Sequence, residues 1–138
     1  MPIQTTGFVY PPKSSDYRLC ERSDDGEVVA AAVLDTIGRP RVRGLSAVVD
    51  GLEDGLRRLV ARDEARSFDA LKSAVYDVIA EAGERVEALQ KGGKSSGLLG
   101  YCFALAAGVG ERFFTIRLGD CRAYRVDPPR PDRPAAVQ

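Results

Sequence analysis

Histidine is absent from the chain. Its absence excludes Ser-His-Asp and Cys-His nucleophile systems and every metal site built on imidazole. Any bound metal then has to be a hard cation held by oxygen, which points to Mg²⁺ or Mn²⁺. Cysteine occurs three times, at Cys20, Cys102 and Cys121, without C-x-x-C spacing. That speaks against a zinc ribbon or a disulfide frame and fits small buried apolar residues in a reducing compartment. A phosphate-binding loop is also missing: Gly93-Lys94-Ser95 would need a glycine five positions earlier, where Ala88 stands. Lys+Arg and Asp+Glu both number 20, so no global field recruits nucleic acid or an anionic membrane. No apolar stretch reaches the ~18 residues needed to span a bilayer, and no signal-peptide core opens the chain. The cytoplasm is the expected location.

What remains is an ordinary globular composition over 138 residues, 44% hydrophobic and 29% charged, which suits one modest domain. The domain is expected over residues 1–126. Residues 127–138, rich in proline, are expected to form a disordered tail that joins no sheet.

The central stretch is Glu27–Thr36. Seven apolar residues, Val28 to Leu34, run directly into Asp35. Such a run predicts a buried strand that delivers its last residues to the rim of a sheet, where α/β proteins commonly place chemistry. Asp35 is therefore the leading functional candidate, although it equally suits the start of a loop into the next helix. Tyr17–Arg22 predicts the preceding strand, joined through the turn Ser23-Asp24-Asp25-Gly26 as a hairpin.

Leu45, Val48, Val49, Leu52, Leu56, Leu59 and Val60 recur at helical spacing, and a second stripe runs from Phe68 to Leu89 behind a candidate N-cap, Ser67. Leu98–Ala107 and Arg112–Leu118 predict two further antiparallel strands around a Gly108-Val109-Gly110 turn. Gly119-Asp120 interrupts, and Arg122–Val126 is expected to resume as a strand. The order ββ-αα-ββ(β) predicts an α+β fold, an antiparallel sheet packed by two long antiparallel helices.

The sequence of features in this order resembles the metal-dependent, type 2C protein phosphatases: Asp16, a hairpin, Val-Leu-Asp35-Thr36, two helices, a strand led by Gly97, and Gly119-Asp120-Cys121-Arg122-Ala123-Tyr124. The last of these is the most specific piece, similar to that family's Gly-Asp-Ser-Arg-Ala turn. The likeness runs from about Gly7 to Val126 and covers only the N-terminal half of the family's domain, so it implies half of an αββα sandwich. It implies hydrolysis of phosphoserine and phosphothreonine as the ancestral activity. It also implies Asp16 and Asp35 as metal carboxylates, Thr36 as a backbone-carbonyl ligand and Asp120 at a weaker additional site.

The sequence departs from the family where phosphate is bound. The arginine expected five residues before Asp16 is Pro11, leaving Lys13 as a point-charge substitute. Leu98-Leu99 replaces the Ser/Thr-Thr after the glycine, and the family's later metal aspartates have no counterpart. Two carboxylates and a carbonyl cannot fill the octahedral shells of two hard cations without many waters, so metal affinity and activity are expected to be degenerate.

Two other functions compete. One is a non-catalytic scaffold that binds a protein partner, or forms a homo-oligomer, through the uncovered sheet. The other is an N-terminal nucleophile hydrolase exposing Thr5 or Thr6 after removal of the residues before it.

Overall fold

Strand alternation and helical stripes in this sequence point their apolar residues toward one shared layer. The computed structural model describes residues 16–37, 45–92 and 100–124. Its elements are β1 (Asp16–Arg22), β2 (Val28–Ile37), α1 (Leu45–Val60), a short 3-10 turn (Asp63–Arg66), α2 (Phe68–Lys91), β3 (Gly100–Val109) and β4 (Arg112–Leu118). The four strands form one antiparallel sheet in the order β1-β2-β3-β4. The α+β class is as the sequence predicts.

The hairpin turn shows why Ser-Asp-Asp-Gly was legible as a reversal. The Ser23 hydroxyl donates to Asp25 Oδ1 at 2.7 Å and accepts from the Val28 N–H at 2.9 Å. Gly26 takes φ 74°, a left-handed value that costs glycine little and other residues more. Asp25 is further fixed by the Glu27 N–H at 3.1 Å and by Arg66 at 2.7 Å, which ties the turn to the segment between the helices.

Both helices cover the same side of the sheet, α1 against β1 and β2, α2 against β3 and β4. Leu56, Leu71 and Val75 are fully buried there and meet Val28, Leu34 and Leu105 from the strands. Each buried side chain of this size contributes about 1.5–3 kcal/mol. Ser67 is the N-cap of α2, its side chain accepting from the Ala70 N–H. Phe68 anchors that end, edge-on to Phe114 at 5.7 Å and beneath the Arg112 guanidinium at 4.1 Å.

Three expectations need correction. Gly108 and Val109 belong to β3, and the reversal is made by Gly110 and Glu111 instead. Cys121–Tyr124 carry no strand: Gly119, at φ 77°, and Asp120 turn the chain away from the line of β4. Nor are the cysteines buried apolar residues. Cys20 is exposed, while Cys102 and Cys121 are half-buried, because Cys20 and Cys102 alternate onto the side of the sheet without helices. Lys13, Pro11, Gly93-Lys94-Ser95, Leu98-Leu99, Arg125-Val126 and the 127–138 tail lie outside the described residues.

Candidate carboxylate site on the open sheet face

The side of the sheet away from the helices is built from the odd positions of β2 and β4 and the even positions of β1 and β3. Register arranges these in cross-strand rows. Asp16 lies opposite Asp35, which lies opposite Cys102. The next row is Arg18, Val33, Ala104 and Arg117, followed by Cys20, Ala31, Ala106 and Thr115. Arg22, Val29, Gly108 and Phe113 complete the face. Direct cross-strand neighbours in an antiparallel pair share a face and stand about 4.5–5.5 Å apart. The two aspartates singled out by sequence, nineteen residues apart, are therefore register partners at one end of one face.

Asp35 is exposed. Thr36 follows it in β2, opposite Tyr101. Asp120 is also exposed, in the turn that follows β4. Cys121 gathers the end of this face together. Burial, then the neighbouring Cys102 thiol and the Asp120 carboxylate, raise the Cys121 thiol above its ordinary value, while a hydrogen bond from the Asp35 backbone opposes them. Cys121 thus interacts with both members of the Asp35–Cys102 cross-strand pair. A Cβ on Gly119 would collide with the Cys102 sulfur, so the returning chain lies directly against β3.

At this edge Asp35 and Asp120 are exposed, and Asp16 shares the end row with Asp35 by register. Among the described residues, no three or more His, Cys, Asp or Glu side chains form a group able to hold a metal ion. The described carboxylates do not build a two-metal centre. Sequence reasoning missed the two cysteines at this edge. Their signal was available in the parity of β3, since Tyr101, Phe103 and Leu105 face the core and Cys102 must face away.

The class these features define is an α+β protein with one helix-covered and one open sheet face, carrying paired aspartates at the rim of the open one. Comparison with protein-family models, with curated proteins and with solved structures found no match. No described helix is long and apolar enough to cross a membrane.

Proposed function

We propose that this chain is a reduced relative of the metal-dependent type 2C protein phosphatases, with weak, Mn²⁺- or Mg²⁺-dependent phosphoryl hydrolysis as its residual chemistry. The observation that carries the reading is the register pairing of Asp16 with Asp35, which brings together the two positions that match that family's first metal carboxylates. The order of elements and the Gly119-Asp120-Cys121-Arg122-Ala123 turn support it further. A divalent cation bound there supplies Lewis acidity, polarising a phosphoryl oxygen and lowering the pKa of a bound water.

The chain's own contribution is electrostatic. Asp35 and Asp120 place two exposed carboxylates at this end of the sheet, and Asp16 is the register partner of Asp35. With Pro11 where a phosphate-binding arginine is expected, orientation of a phosphoprotein substrate falls to Lys13, a point charge that cannot grip phosphate bidentately. Slow turnover and low metal affinity follow. A cytoplasmic setting accompanies the reading.

The test is turnover of p-nitrophenyl phosphate across a Mn²⁺ titration, comparing the parent with Asp35→Asn. Loss of a partner that only supports a ligand typically costs about 10–100-fold in activity or affinity, and loss of a ligand no less. The Mn²⁺-dependent rate is therefore expected to fall by at least about tenfold. Equal rates in the two proteins, or rates indifferent to Mn²⁺, would remove the reading.

A further inference from the structure

Beyond the carboxylate edge, the open face forms a trough. Two clefts, of about 240 and 360 Å³, share Ala31 and Ala106 as floor and so run into one another along the middle of the sheet. The two central strands offer only small side chains through the middle rows, Ala31, Ala104, Ala106 and Gly108, with Val33 half-exposed beside them. Four arginines stand along its banks, and one carboxylate, Glu111, lines it at the Phe113 end. Arg18 and Arg22 stand along β1, Arg117 stands on β4, and Arg122 lines one end of the trough. All four are exposed.

On the helix side Arg57, Arg85 and Lys91 are engaged by carboxylates, while Arg58, Arg62 and Lys72 make no ion pair with any described residue. Arg22 and Arg117 make no ion pair with any described residue.

We propose that this trough is a docking surface for an amphipathic α-helix of another protein, one with large apolar side chains along one stripe and Asp or Glu on both flanks. Width selects the element. From β1 to β4 is three strand spacings, about 14 Å, which accommodates a helix about 10–12 Å across with its side chains. Length sets the seat: from Val33, where Arg122 and Ala123 close the trough, to Val29 the face extends about 13 Å, so about nine residues of a helix rest on it and the remainder overhangs at the Phe113 end. The floor selects the side chains, because alanine and glycine leave space that an incoming leucine or phenylalanine fills. The arginine banks select acidic flanks.

A second copy of this chain fits the same face poorly. Through the middle rows two such faces would set alanine against alanine across a layer about 10 Å thick, with Val33 and Phe113 as the only exposed large apolar side chains among the described residues of each.

The proposal is independent of the metal reading and is tested by peptide binding. The probe is a fluorescein-labelled synthetic helix of about 14 residues, with leucine at i, i+3, i+4 and i+7 and glutamate on both flanks. Its control carries lysine for each glutamate. Fluorescence anisotropy is expected to show the glutamate peptide binding at least about tenfold more tightly than the lysine peptide, with the difference shrinking in high salt. Arg22→Glu combined with Arg117→Glu is expected to invert that preference. Ala106→Arg, at an exposed position, is expected to abolish binding while leaving the thermal midpoint in place.

Equal binding of the two peptides, or binding of neither, would overturn the proposal. So would a sedimenting dimer that Ala106→Arg returns to monomer, which assigns the trough to a second copy. Binding that appears only after deletion of Met1–Tyr10 would overturn it as well, since the chain's own N-terminal segment would then be the occupant.

Discussion

Asp25 shows how one exposed side chain can hold a turn. The Ser23 hydroxyl, then the Glu27 N–H and Arg66, lower its carboxyl from 3.8 to about 2. The folded state therefore prefers the ionised form. That contribution is complete above the unfolded value and disappears as pH falls through the folded one. Asp25→Asn is expected to lower the thermal midpoint at neutral pH, with the gap to the parent closing between roughly pH 4 and pH 2. A gap that persists unchanged at pH 2 would mean the carboxylate is not its source. Gly119 is the second position of this kind. It combines φ 77° with contact against the Cys102 side chain, so Gly119→Ala is expected to cost about 1–3 kcal/mol in urea unfolding. It should also loosen the segment that follows.

At the scale of elements, the helices and strands were legible because each uses one uninterrupted period. The stripe Val48, Val49, Leu52, Leu56, Leu59, Val60 is buried throughout, and β4 has the expected limits of Arg112 and Leu118. Leu56, with no exposed surface, lies in the layer between α1 and the sheet. Leu56→Ala is expected to destabilise by about 2–5 kcal/mol, read from the denaturant midpoint, because truncation leaves a cavity in that layer.

The misreadings arose where composition and geometry diverge. Val28–Leu34 is apolar on both faces, so it was legible as a strand but gave no sign that one of its faces has no covering layer among the described residues. Arg122–Val126 has strand-like residues, yet the left-handed backbone at Gly119 redirects the chain before Cys121–Tyr124 can pair. The nearness of Asp16 and Asp35 follows from a hairpin whose turn residues are explicit. The placement of Cys102 and Cys121 depends on β3 pairing across the sheet, which no local signal encodes.

For the whole molecule, the asymmetry between faces matters more than any one contact. The helix side carries the core and most of the ion pairs, including Arg57 with Glu21 at 3.0 Å across α1 and β1. With Arg57 56% exposed, that pair contributes only about 0–1 kcal/mol. The opposite side leaves Val33 50% and Phe113 51% exposed. The net charge is zero, but it is unevenly laid out on this side, with carboxylates at the Asp35 end and arginines along the banks.

The turn at Gly119-Asp120 gives that layout a direction. By bringing Arg122 and Ala123 against the trough, it stops one end while the other remains open beside Phe113 and Gly110. The result is a blind slot, not a through-channel: an occupant can overhang at the Phe113 mouth but must terminate, or bend away, where the chain crosses.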